Sequence, residues 1–251
     1  MNRWAVYLDI EGTSKIYEVH EGRVYAAFDA ILSTLCRIGS EVFPETPSRL
    51  FAHQVGGDGV VIVSEFAKDL PEAPISIAVV LLQVLLLNGH LGKAGISEGT
   101  FADIRSCFPS LRSVPNIGDG RYRLGRGLLT TFPVMGTALI NSHRIATRKP
   151  RGARLTVDAD VMIDVPDGVV ISLQDKGSLV VDWIHTRTRA TEEITSKAHI
   201  ELPSPGALRE RLVAYVANTG DATDDEWKHN TLSLNGCVDY EPRGSRADDR
   251  D

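Results

Sequence analysis

Cysteine is scarce in this chain: Cys36, Cys107 and Cys237 are the only three in 251 residues, far apart and without a Cys-x-x-Cys pair. That excludes a disulfide framework and a cysteine zinc cluster, and it fits a reducing compartment. A membrane-length apolar run is also lacking. The apolar stretch ISIAVVLLQVLLL at 75–87 is only thirteen residues, where about 20 are needed to cross a bilayer, so it reads as a buried core helix. The opening MNRWAVYLDIEG has no signal-peptide apolar segment, because Asp9 and Glu11 interrupt it, and a cytoplasmic location is expected. Positive charge is in deficit, with 27 Lys and Arg against 33 Asp and Glu and a net charge of -6. A broad nucleic-acid surface is therefore not expected. An anionic substrate has to be neutralised by metal or by a few placed cations. No fixed-period repeat is visible.

What is present suffices for a full core: 43% of residues are apolar and 24% charged. WAVYLDI is a strand ending at the polar EGTS, and Val24, Phe28, Ile31, Leu35 and Ile38 follow at helical spacing until Gly39 and Pro44. RLFAHQV and VVIVSEF flank GGDG as a hairpin. The apolar helix comes next, then KAGISEGTFADI, a strand whose glycines mark a close backbone approach. LLTTFPVMGTALINSHRIAT reads as strand, Gly turn and helix, VVISL and LVVDWIH as a second hairpin, and GALRERLVAYVAN as a late helix. The order predicts a mixed α/β (α+β) chain with a ferredoxin-like βαββαβ core, followed by further strands and a helix. The expected organisation is one domain over 1–202, a helical extension over 203–240 packed on it, a packing strand after residue 186, and a disordered charged tail over 241–251.

Two acids bear on function. Asp9 ends the first strand and Asp58 sits in the Gly-rich turn of the hairpin that can pair beside it. Each alone is explained by turn chemistry. Together, like charges at one end of a sheet protonate or bind a cation, and an all-oxygen ligand set favours Mg²⁺ or Mn²⁺ with water and substrate phosphates.

DIEGTS (9–14) resembles the metal-binding motif of the class III nucleotidyl cyclases, Asp-Ile-x-Gly-Phe-Thr, and GGDG stands where that family has its second metal Asp. KAGISEGTF (93–101), FPVMGTALINSHRI (132–145) and DKGSLVVDW (175–183) resemble later blocks of the family in the same order. The resemblance implies that Asp9, Asp58 and the Ile10 carbonyl hold two divalent ions, and that Gly12 and Thr13 help bind nucleotide. It implies a transition-state role for Arg144 and phosphate binding by Lys176. An exposed helix residue and a solvated turn lysine are the alternatives for these two. It further implies a homodimer, with the Asp residues from one subunit and Arg144 from the other.

The chain departs from the pattern in two places. The ribose-orienting Asn of the family falls on Ile140, with Asn141 beside it. The two base-reading positions are Gln54 and Pro133, which match neither the adenine pair (Lys and Asp) nor the guanine pair (Glu and Cys). Pro133 offers no side-chain contact to the far edge of a purine. This is similar to the Pycsar-type pyrimidine (uridylate and cytidylate) cyclases of anti-phage defence. UTP and cyclic UMP are the favoured expectation, with a separate product-sensing effector protein; CTP stays open. Arg121, Tyr122, Arg123 and Arg126 form either a loop closing on the nucleotide or a solvated Gly-rich loop. The rival readings are a purine cyclase, a diguanylate cyclase, whose Glu-Phe after Gly-Gly-Asp is Gly-Val here, and an inactive nucleotide-binding module.

Overall fold

The computed structural model describes residues 2–44, 50–55, 58–64, 72–103, 118, 121–124, 126–130, 134–162, 164–175, 177–219 and 223–238. Strand β1 (Asn2–Ile10) alternates as a two-faced strand must: Trp4, Val6, Leu8 and Ile10 enter the main core, while Ala5, Tyr7 and Asp9 take the opposite face. Gly12 then turns the chain in a left-handed conformation (φ 75°) that a side chain would strain, and α1 (Thr13–Arg37) starts at once. The apolar spacing from Val24 marked only the second part of this helix. It begins at Thr13, breaks at His20 (φ -159°, ψ 85°) and ends in a π turn over Ile38–Val42.

Strands β2 (Leu50–Val55) and β3 (Gly59–Ser64) form the expected antiparallel hairpin, with Gln54 opposite Val60. Helix α2 (Glu72–Leu87) is buried on every side from Pro74 to Leu86, as an all-round apolar helix has to be. No described helix is long and apolar enough to cross a membrane. Next come β4 (Gly92–Thr100), β5 (Ala102–Asp103), β6 (Arg121–Leu124), β7 (Gly127–Thr130), β8 (Val134–Met135), α3 (Thr137–Ala146), β9 (Leu155–Asp158), β10 (Ile171–Asp175) and β11 (Ser178–Val181). Three helices close the described chain: α4 (Arg189–Lys197), α5 (Pro205–Asn218) and α6 (Asp225–Ser233). The late helix expected from GALRERLVAYVAN is α5. The packing strand expected after residue 186 is absent among the described residues, where α4 and α6 stand instead.

The main sheet has seven strands in the order β10-β11-β9-β4-β1-β3-β2. Its β4-β1-β3-β2 quartet, antiparallel throughout, is the ferredoxin-like arrangement, and β9 adds parallel to β4. Helices α1, α2, α4 and α5 share one apolar core on one face, with Leu208, Leu212 and Val216 of α5 inside it. Helix α3 lies on the other face, against Gly95 and Gly99 of β4. A Cβ on Gly95 would stand 2.3 Å from the Ser142 carbonyl oxygen, and one on Gly99 2.4 Å from the Ala138 nitrogen. These are the glycines that the sequence marks for close approach. The tail expected over 241–251 lies outside the described residues.

Candidate functional site

The register of three strands builds a corner at one end of the sheet. Asp9 pairs with Gly59 of β3 on one side and with Lys93 of β4 on the other. The turn before Gly59 carries Asp58, whose backbone carbonyl accepts from the Ile10 N–H at 3.4 Å. The Thr13 hydroxyl, in the first turn of α1, donates to the Asp58 carboxylate. The two acids singled out in the sequence therefore meet, and the start of α1 meets them.

Two carboxylates share one ammonium there. Lys93 Nζ lies 2.9 Å from Asp9 Oδ2 and 2.8 Å from Glu11 Oε1. Burial pushes the Asp9 carboxyl above its usual range; the Lys93 contact pulls it back, and the charges of Asp58 and Glu11 add to the rise. Although burial opposes the charged form of Lys93, Glu11 and Asp9 hold its ammonium above the ordinary lysine range. Tyr7, two residues before Asp9 on the same face, is pushed up to about 12, first by burial and then by the charges of Asp9 and Asp58. The corner is short of positive charge. Its donor set is oxygen only, which suits Mg²⁺ or Mn²⁺. Among the described residues no three His, Cys, Asp or Glu side chains gather as a metal cluster. An ion here needs the two carboxylates supplemented by the Ile10 carbonyl, water and a ligand's own oxygens.

The other residues singled out are spread more widely. Gln54 is on β2, four residues before Asp58, and its side chain is exposed. Arg123 is exposed on the β6–β7 hairpin, opposite Leu128. Pro133 and Lys176 lie outside the described residues. On α3, Ile140 is 65% exposed, whereas Asn141 is tied into its own subunit: its Nδ2 donates to the Glu98 carbonyl at 3.0 Å, and its Oδ1 accepts from Arg144 at 3.3 Å. Glu98 pairs with Trp4, five residues along β1 from Asp9, a separation of roughly 17 Å at strand spacing. Asn141 is thus anchored toward the far end of β1 from Asp9, while His143, beside the exposed Arg144, packs edge-on against Tyr7 at 4.8 Å. Tyr7, Glu11 and Lys93 were missed in the sequence; the apolar alternation of β1 placed Tyr7 and Glu11 on the face of Asp9, but nothing local announced Lys93.

No family model matches the sequence, and no curated protein matches it. Among solved structures, a bacterial light-regulated adenylyl cyclase is similar at 15% identity and a TM-score of 0.44, covering 79% of this chain and 56% of its own. The dimeric guanylyl cyclase domain of the RhoGC fusion protein from the aquatic fungus Blastocladiella emersonii is similar at 9% identity and 0.43, covering 72% and 94%. An adenylate cyclase from Trypanosoma brucei is similar at 10% identity and 0.38, covering 74% and 92%. The chain spans little more than half the length of the first, 56%. Similarities this distant carry no chemistry, which has to rest on the residues of the corner.

Proposed function

We propose that the chain is a nucleotidyl cyclase. The observation that carries this reading is the meeting of Asp9 and Asp58 beside the first turn of α1, with a deficit of positive charge between them. In the proposal Asp9, Asp58 and the Ile10 carbonyl hold two divalent ions, and Gly12 and Thr13 line the entry of α1, whose N-terminus favours phosphate oxygens. Bound there, the ions lower the pKa of the ribose 3′-hydroxyl and neutralise charge on the triphosphate. The 3′-oxygen attacks the α-phosphorus, the bond to the β-phosphate oxygen breaks, pyrophosphate leaves and the hydroxyl proton passes to solvent. Arg144 meets the charge that builds on the phosphorus oxygens, and Lys176 and Arg123 contact the phosphates. A homodimer with shared sites is part of this reading: the exposed Arg144, held by Asn141, would act at the corner of a partner subunit.

More particularly, the enzyme makes cyclic UMP from UTP. Gln54 can donate to and accept from a uracil edge, and Pro133 in place of a polar residue removes a contact that a purine needs. CTP is the nearest rival on the same grounds. A defence role with a separate effector, and a cytoplasmic location, go with this reading. Incubation with each of the four ribonucleoside triphosphates and Mn²⁺, followed by mass identification of the product, tests it: cyclic UMP is expected, a cyclic purine would reject the base assignment, and no cyclic product from any of the four would reject the cyclase.

A further inference from the structure

Behind the acidic corner lies a cavity of about 170 Å³, lined by Glu11, Lys93, Arg148, Arg151, Arg154 and Trp227 among others. Four cationic side chains thus face a single carboxylate, and that carboxylate is already engaged. One oxygen of Glu11 is held by Lys93 at 2.8 Å and the other by the Trp227 indole N–H at 3.0 Å. Among the described residues, no carboxylate is ion-paired with Arg148, Arg151 or Arg154. Arg154 is 2% exposed, and the partner of its guanidinium is the backbone carbonyl of Arg148. Arg148 in turn donates to the Gly177 carbonyl at 3.1 Å.

The Arg154 guanidinium, taken out of water without a counter-ion, is costly, and the half-buried Arg148 and the exposed Arg151 bring further like charge to the same space. Packing alone does not require them. A water occupies about 30 Å³ of liquid, so the cavity has room for an anion of phosphate or carboxylate size with a few waters. Arginine forks suit the paired oxygens of such anions. The cavity borders the corner and shares Glu11 and Lys93 with it, but Asp9, Asp58 and Thr13 do not line it, and Trp227 comes from α6, well past the last block that resembles the cyclase family.

We propose that this cavity is a binding site for a small free oxyanion, held by Arg148, Arg151 and Arg154 and occupied independently of the substrate. The site needs only the cavity, so it stands whether or not the chain turns over a nucleotide.

Calorimetric titration of the full chain with inorganic phosphate, and separately with acetate, at constant ionic strength is the test. At least one anion is expected to bind saturably and to raise the thermal midpoint with its concentration. Arg148→Gln and Arg151→Gln should each weaken binding about tenfold or more while the anion-free midpoint stays put, and Arg189→Gln on α4 should leave binding unchanged. Should Arg154→Met fail to fold, the two Gln variants still decide the matter. No saturable binding, or equal binding by the Gln variants, overturns the proposal. Loss of phosphate binding in excess UTP also overturns it, because the cavity would then belong to the substrate triphosphate.

Discussion

The charge of Asp9 is held at a disadvantage. Its carboxyl titrates above the ordinary value because burial, reinforced by Asp58 and Glu11, outweighs the single ion pair with Lys93. The sign follows from linkage: with a folded value above the unfolded one, the contribution to stability is complete below about pH 4 and is lost as pH rises through the folded value. Without metal, the thermal midpoint of the parent should therefore fall relative to that of Asp9→Asn as pH goes from about 4 to 7. Two parallel curves would refute it. Tyr7 offers an independent reading, since its phenol, at about 12, should ionise at lower pH in Asp9→Asn when followed by ultraviolet absorbance.

At the scale of elements, the approach of α3 to β4 decides whether the far face of the sheet is closed. Gly95→Ala puts a methyl 2.3 Å from the Ser142 carbonyl oxygen and displaces backbone rather than a flexible side chain. A cost of about 3 kcal/mol is expected, lowering the thermal midpoint by roughly 6 to 12 °C. An unchanged midpoint would mean that α3 does not sit where it is described. Legibility varied in the same physical terms. Strand β1 and helix α5 were readable because burial of one face imposes a period on the sequence, β2 and β3 because two β-rich runs flank a Gly-rich turn, and α2 because it is an unbroken apolar run. The first turns of α1 were not, because TSKIYEVH has little apolar pattern and ends in a break at His20. Helices α4 and α6 are short and polar, and begin at Thr188 and Asp224, side chains that accept from Thr191 N–H and Glu226 N–H. Of the corner, Asp9 and Asp58 were readable because each interrupts or ends an apolar run. Lys93 was not, since only the β1–β4 register sets it opposite Asp9.

For the whole molecule, assembly is the point at issue, because the proposal has Asn141 and Arg144 of one chain serve the corner of another. Asp58→Ala and Arg144→Ala chains should each be inactive alone by orders of magnitude with the fold intact. Mixed, they should recover activity, because half of the heterodimer's composite sites are whole. Sedimentation of the separate and mixed chains must show dimers; failure of rescue despite heterodimers would place Arg144 outside the reaction. The cavity, by contrast, was not legible, because its lining comes from residues as remote as 11, 93, 148–154 and 227, which only the closed fold gathers.

Trp227 holds Glu11 across 216 positions of sequence, and Glu11 competes with Asp9 for the same lysine. Helix α6 is thereby tied, through Glu11, to the lysine that serves as counter-ion to the first strand's acid. With Trp227 on one oxygen of Glu11 and Lys93 on the other, both oxygens of that carboxylate are occupied while Lys93 also serves Asp9.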